Sequence, residues 1–257
     1  MVMKKNMTQE QLRAKKNEDA VVYKVMIALV LLCGALLGLR KLRDYYAMVE
    51  GFSALYDRTP MILTAGLVIA VIAAAAGIFV RVRAIRVAAP WVLIAGLLVA
   101  ATGWTMRLSG VNDFEFLYYL CLAVLLQYII FQLYRWEFFL FSLSTVVAGG
   151  LFFSFSRGLY WTSKNIVMIV VLALVLLGTA LVTNWATHNK GYLSLGHTRV
   201  RLFSPKSAPI LIYIVNVLWL VCAIAIPFLG GLFAYYCMFA AIAVEFIAAV
   251  YYTFQLN

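Results

Sequence analysis

The fold class follows from a stretch close to the C-terminal end of the sequence. Residues 210–254 read ILIYIVNVLWLVCAIAIPFLGGLFAYYCMFAAIAVEFIAAVYYTF, and Glu245 is the one charged residue among them. A helix that crosses the hydrocarbon core of a bilayer needs about 20 mostly apolar residues. Gly230 and Gly231 divide the stretch into two runs of that length, and glycine easily adopts the backbone angles of a tight turn. The stretch therefore predicts two neighbouring transmembrane helices.

The rest of the chain repeats this pattern. Besides residues 210–230 and 232–254, apolar runs of spanning length cover residues 20–39, 61–80, 87–106, 114–134, 138–155 and 166–183. The runs are continuously apolar, whereas strands of a membrane barrel alternate apolar and polar residues over about ten positions. We predict an all-α, polytopic transmembrane helix bundle of eight spans, with seven spans as the alternative if residues 20–39 do not cross.

The composition excludes a water-soluble fold. Of the 257 residues, 65% are hydrophobic and 12% are charged, and the mean hydropathy is +0.96. Soluble domains have about 45–50% apolar and about 25% charged residues. Disorder is excluded as well, because disordered chains are polar and rich in charge. The chain from residue 1 to residue 257 is therefore predicted to be a single integral domain of the cell membrane (plasma or inner).

Basic residues set the expected orientation. With eight spans and both termini in the cytosol, the cytosolic side carries 13 of the 21 Lys and Arg residues and the outer side seven, with Lys24 inside the first run. This bias agrees with the positive-inside rule. The net charge of +11 then indicates contact with anionic lipid headgroups on the cytosolic side rather than binding of nucleic acid.

Two polar segments precede the second run. Residues 1–19 are predicted to form a polar cytosolic tail. In residues 43–58, four apolar and aromatic side chains fall on one helical face: Tyr45, Val49, Phe52 and Tyr56. This pattern is typical of an amphipathic helix that lies in the membrane interface, here on the outer side.

Residues 184–209 form the longest connection and are predicted to be a basic cytosolic loop. Basic and apolar residues alternate from Thr198 to Leu202, which is compatible with a short strand on the membrane surface. The candidate contacts for an anion or a lipid headgroup are Arg199, Arg201 and Lys206. Arginine suits this role because its planar guanidinium binds phosphate through two hydrogen bonds.

The sequence predicts no catalytic residue, no metal ligand and no cofactor site. The two histidines, His188 and His197, are nine residues apart in the basic loop, and that spacing matches no zinc motif. The four cysteines lie inside apolar runs and form no C-x-x-C pair, so neither a disulfide framework nor a zinc site is indicated.

A small set of polar side chains lies within the runs and forms the candidate intramembrane site: Glu245, Asn216, Gln127 and Tyr213. On residues 210–230, Tyr213 and Asn216 share a face with Pro227, a residue that tends to kink a helix. Trp219 lies near the middle of the same run rather than at an end, so we expect it inside the bundle.

Glu245 is the strongest candidate. It lies two residues past the centre of residues 232–254, which is about 3 Å from the midplane at a rise of about 1.5 Å per residue. A charge at that depth costs about 2.5–3.5 kcal/mol on insertion scales, so Glu245 should face the bundle. We expect a hydrogen bond from Asn216, Gln127 or a tyrosine. Glu245 is then either a neutral acid with no role in turnover or a carboxylate that couples transport to a proton or cation.

Small residues recur at the spacing that lets transmembrane helices approach closely. They are Gly34 and Gly38, then Gly66, Ala70 and Ala74, then Gly96 and Ala100. We expect them to pack helices within the chain, with homodimerisation as the alternative.

Three functions fit these features. The first is a small-solute permease or the membrane subunit of a transport system. The second is an accessory or scaffold protein that works with a membrane-protein partner or as a homo-oligomer. The third is a membrane-embedded enzyme acting on a lipid or a lipid-linked substrate, although no convincing His, Ser or Asp constellation supports it.

Overall fold

The chain is almost entirely helical. The computed structural model describes residues 9–80, 82–109, 114–157, 163–195, 198–203 and 209–254. Its helices are α1 (Gln9–Tyr46), α2 (Val49–Tyr56), α3 (Thr59–Phe79), α4 (Arg83–Ser109), α5 (Phe114–Leu133), α6 (Trp136–Ser156), α7 (Ser163–His188), α8 (Ile210–Leu229) and α9 (Gly231–Phe254). Two short strands, β1 (Tyr192–Leu195) and β2 (Thr198–Arg201), pair antiparallel between α7 and α8.

The predicted eight-span bundle is confirmed. In the described part of the chain, eight helices are long and apolar enough to cross a membrane, namely α1 and α3 to α9. Helix α1 is much longer than the predicted run of residues 20–39. It begins at Gln9, so residues 9–19 of the predicted polar tail are helical. Those residues include good helix formers and neither Gly nor Pro, so the helix continues beyond the apolar run.

The segment 43–58 is not one continuous amphipathic helix. Helix α1 ends at Tyr46 and α2 begins at Val49, and the break lets α2 fold back on the end of α1. A Cβ atom on Gly51 would lie 2.0 Å from the carbonyl oxygen of Tyr45, so only glycine permits this contact. Part of the predicted face survives, because Phe52 and Tyr56 stack with ring centroids 5.2 Å apart.

Small residues bring α3 and α4 into backbone contact. A Cβ atom on Gly66 would lie 2.4 Å from the backbone nitrogen of Ala100, and one on Gly96 would lie 2.8 Å from that of Ala70. The packing role predicted for these residues is therefore confirmed. The same role predicted for Gly34 and Gly38 is wrong, because no described residue of another element places an atom within 4 Å of either Cβ position. Both glycines lie on a face of α1 that contacts no other helix in the described part of the chain.

Helix α6 is the centre of the bundle. It packs against α5, α7, α8 and α9. In the 18-residue apolar stretch that could cross the membrane, 72% of the residues of α6 are buried, against 33% or less in the other seven spans. The connection before it is very short, since only Tyr134 and Arg135 separate α5 from α6, and Arg135 is extended with φ −72° and ψ 155°.

The β-hairpin closes one end of the bundle. Its predicted strand in residues 198–202 is present as β2. Leu202 and Phe203, directly after β2, are buried against the core formed by α6 to α9. The chain enters the hairpin through Gly191, which has a φ of +85° and lies against the carbonyl of Phe203.

The order of the spans predicts on which side of the membrane α2 and the β-hairpin lie. Helix α2 follows the first span and the hairpin follows the sixth, so the two lie at opposite ends of the bundle if all eight helices cross. We expect reporter fusions after Tyr192 and at Asn257 to be cytosolic, and a fusion at Ala54 to be external. A cytosolic signal at Ala54 would contradict the crossing of α1.

Candidate functional site

Five consecutive spans place polar side chains at one depth. Gln127 on α5, Ser142 on α6, Thr179 on α7, Asn216 on α8 and Glu245 on α9 each lie within four residues of the midpoint of their helix. At a rise of about 1.5 Å per residue, each is within about 6 Å of that midpoint. Because neighbouring spans are antiparallel, all five are displaced toward the same end of the bundle. We call these residues, with Ser144, Thr145 and Trp219, the polar layer.

In the first half of the polar layer, hydrogen bonds link Gln127, Ser142 and Glu245, which lie on three helices. We call these three residues the carboxyl centre. Gln127 donates from Nε2 to Oγ of Ser142 at 2.7 Å, and Ser142 in turn donates to Oε1 of Glu245. Ser142 is fully buried. Glu245 therefore faces the bundle as predicted, and Gln127 reaches it through Ser142 rather than directly.

Close packing of α9 on α6 holds Glu245 in this position. Ala241 and Ala248, one turn before and after Glu245, are both buried against α6. Ile242, on another face, is 59% exposed and points away from the bundle. The alanines thus let the two helices approach closely.

The carboxyl centre is short of hydrogen-bond partners. Oε2 of Glu245 and Oε1 of Gln127 are buried, and no described residue donates to either atom. No described basic side chain pairs with Glu245. Buried polar groups are almost always satisfied, and an unsatisfied one costs about 1–3 kcal/mol. The centre therefore has the acceptor capacity to take up a further group.

The second half of the polar layer, on the α7 and α8 side of α6, consists of hydroxyl and amide groups. Asn216 donates from Nδ2 to Oγ1 of Thr179 at 2.9 Å and to the carbonyl of Leu176 at 3.1 Å. Oγ of Ser144 lies 3.2 Å from Oγ1 of the same threonine. Asn216 is thus separated from Glu245 by α6, and the hydrogen bond expected as one option between the two is absent.

Two other residues singled out in the sequence, Trp219 and Tyr213, lie on α8 about one turn after and one turn before Asn216. Trp219 is 1% exposed, as expected for a residue inside the bundle, and donates from Nε1 to Oγ1 of Thr145 at 3.2 Å. Tyr213 lies about one turn away from Asn216, and its hydroxyl is 3.5 Å from the carbonyl of Ala180, a contact at the limit of hydrogen bonding. Tyr213 is therefore a neighbour of the polar layer rather than a partner of Glu245.

Sequence reasoning missed a second buried carboxyl group. Glu137, in the first turn of α6, is 1% exposed, and Tyr252 on α9 donates to its Oε1 at 3.2 Å. The predicted apolar runs end at residue 134 and resume at residue 138, so they place Glu137 in the connection between two spans. Its position at a helix N-terminus is favourable for a carboxylate.

The candidate anion contacts lie apart from the polar layer. Arg199 and Arg201 are on β2, opposite Ser194 and Tyr192. Arg201 is exposed, with its guanidinium 5.9 Å from the ring centre of Tyr192. Lys206 and His197 lie outside the described residues. The structure thus shows the strand that carries both arginines and leaves the anion contact a prediction.

Among the described residues, eight helices are long and apolar enough to span a membrane, which makes this chain a multi-pass membrane protein. Comparison with protein-family models, with curated proteins and with solved structures finds no match. Its function must therefore be argued from its own residues.

Proposed function

We propose that this multi-pass membrane protein is a small-solute permease, or the membrane subunit of a transport system, located in the cell membrane. The polar layer is its solute site, and Glu245 couples transport to a proton or a cation. The observation that carries the proposal is the carboxyl centre, in which three spans bring Gln127, Ser142 and Glu245 together near the middle of the bilayer.

The cost of this arrangement supports a functional role. An ionisable side chain near the membrane centre costs about 2.5–3.5 kcal/mol on insertion scales, and such residues commonly mark ion and substrate pathways. Transporters place solute and ion sites near the midplane, on side chains from several helices. Here five spans contribute polar groups at one depth.

Helix α8, which carries Asn216 of the polar layer, also contains a proline. Pro227 lies inside it, three turns after Asn216, and a proline removes one backbone hydrogen bond of the helix. The missing bond would join Pro227 to the carbonyl of Ala223, so it loosens the last turn of α8, at the end of the helix remote from Asn216. A loosened last turn gives the bundle a means of opening toward that side of the membrane.

An accessory role with a membrane-protein partner is the second candidate. It is favoured by α1, whose spanning window is only 6% buried and whose Gly34 and Gly38 face no described neighbour. In this case α1 is the surface for the partner. The anionic headgroups proposed near Arg199 and Arg201 are compatible with both candidates.

Replacing Glu245 with glutamine tests the permease. Glutamine keeps the shape and much of the hydrogen bonding of Glu245 but does not ionise. The purified protein is reconstituted into liposomes that contain a pH-sensitive or sodium-sensitive dye, and a panel of amino acids, sugars and amines is added outside. We expect solute-dependent ion flux in the native protein and a fall to background in Glu245→Gln.

The matched control is Glu115→Gln. Glu115 is 45% exposed at the other end of the bundle, where it pairs with Arg157, so its carboxyl group is remote from the polar layer. We expect its flux to equal that of the native protein. Equal ion-coupled flux in Glu245→Gln, or no solute flux through the native protein, would contradict the permease.

A further inference from the structure

We infer that the carboxyl centre binds one small monovalent cation, with oxygen ligands from Glu245, Gln127 and Ser142. This inference rests on the proposed function and specifies the coupling ion that the function left open between a proton and a cation.

The hydrogen bonds fix which atoms remain free. The amide nitrogen of Gln127 donates to Ser142, and the hydroxyl proton of Ser142 goes to Glu245. These two donors are therefore already used in hydrogen bonds within the carboxyl centre, and the one remaining donor of the three side chains is the second N–H of Gln127. At the carboxyl centre, the buried atoms to which no described residue donates are both oxygens, Oε2 of Glu245 and Oε1 of Gln127. Ser142 keeps one oxygen lone pair as well, because a hydroxyl has two.

The side chains that carry these oxygens meet at one hydroxyl group. Glu245 and Gln127 both bond the same hydroxyl of Ser142, so each free oxygen belongs to a carboxyl or amide group that already contacts Oγ. A fourth oxygen is near. The hydroxyl of Tyr119 donates to the carbonyl of Val146 at 2.8 Å, and it lies against Gly149, whose open side also faces Ala241 of α9. Its proton is used, so the Tyr119 oxygen remains an acceptor on the side of α6 that faces Ala241, one turn before Glu245 on α9.

The charge of the centre selects a monovalent ion. One carboxylate supplies a single negative charge, and no described basic side chain pairs with it. A bound monovalent cation makes the centre neutral, which removes most of the cost of a charge at this depth. Carboxylate, amide and hydroxyl oxygens are ligands of hard cations, whereas Ca²⁺ takes six to eight oxygens and commonly several carboxylates. A single carboxylate with two or three neutral oxygens fits Na⁺, Li⁺ or an ammonium group better.

Cation-dependent stabilisation of the purified full-length protein tests the inference. A ligand that binds only the folded state raises the melting temperature in a saturable way. Sodium, lithium, potassium and methylammonium chlorides are titrated separately, with choline chloride holding the ionic strength constant. We expect a saturable rise in the melting temperature for at least one of the four, with a preference among them.

The variants assign the effect to the carboxyl centre. We expect Glu245→Gln to weaken the apparent cation affinity by about tenfold or more, because it removes a charged ligand. Gln127→Leu and Ser142→Ala each remove a neutral ligand, so a smaller weakening is expected, and they serve as the test if Glu245→Gln does not fold. The control is Glu137→Gln, a buried carboxyl group on the same pair of helices, which should bind cations like the native protein.

Each outcome separates this inference from the permease. Stabilisation that depends on pH alone, that is equal for all four salts, or that persists in Glu245→Gln overturns the cation site and leaves a proton-coupled permease standing. Cation-specific stabilisation that depends on Glu245, combined with no solute flux in liposomes, supports the cation site and overturns the permease.

Discussion

Gly66→Val is expected to prevent accumulation of the folded protein in the membrane. A Cβ atom at this position would lie 2.4 Å from the nitrogen and 2.8 Å from the Cα atom of Ala100. Both are backbone atoms, so α3 and α4 would have to separate. Overpacking commonly costs 1–3 kcal/mol, and we expect more than about 3 kcal/mol here because no flexible side chain can move away. Size-exclusion chromatography of a fluorescently tagged protein measures the folded yield.

Gly34→Val provides the matched control for this substitution. Gly34 also lies in a spanning helix and in a pattern of small residues, yet it has no described neighbour within 4 Å of its Cβ position. Its folded yield should remain close to that of the native protein. A normal yield for Gly66→Val would mean that α3 and α4 do not pack as described.

Trp219→Ala is expected to lower the stability of the folded protein by about 3–5 kcal/mol, the usual cost of truncating a buried large aromatic side chain. Trp219 is 1% exposed and lies edge-on to Phe152, with ring centroids 5.8 Å apart. The substitution leaves a cavity between α6 and α8 and also removes the hydrogen bond to Thr145. Reversible unfolding in mixed micelles measures the change.

Two further tryptophan variants separate packing from hydrogen bonding. Trp219→Phe keeps the larger part of the apolar volume but loses the N–H group and two ring carbons, so a cost of about 1–3 kcal/mol, smaller than for alanine, is expected. Trp185→Ala truncates a side chain that is 51% exposed near the end of α7, and it should have little effect. Equal losses in Trp219→Ala and Trp185→Ala would refute the buried position of Trp219.

The spans were predictable because membrane insertion depends on the length and apolar character of each segment alone. Glu245 was predictable for the same reason, since a single carboxyl group in a long apolar run must be turned away from lipid. Ser142 was not, because serine is small enough to occur in an apolar helix without any partner. Its partners lie 15 residues upstream and 103 residues downstream, and only the packed bundle brings them together.

The small-residue patterns show the same limit. Gly34 and Gly66 both occur with a small residue four positions later, and their local sequences give no sign of which one contacts another helix. In the structure only Gly66 is in contact with a neighbouring span. The pattern describes a surface that permits close approach, and the presence of a neighbour depends on the arrangement of all the helices.

The central position of α6 has a consequence for biosynthesis. Helix α6 is made well before α9, since Glu245 on α9 follows Ser142 by 103 residues. At a translation rate of about 5–20 residues per second, the hydroxyl of Ser142 waits about 5–20 s for this carboxyl group. Ser144 and Thr145 do not depend on a later helix in this way, because their hydroxyls bond the carbonyls of Leu140 and Phe141 within α6 itself. A ribosome stalled before α9 would therefore leave a nascent chain whose core helix is complete while Ser142 still lacks its carboxyl partner.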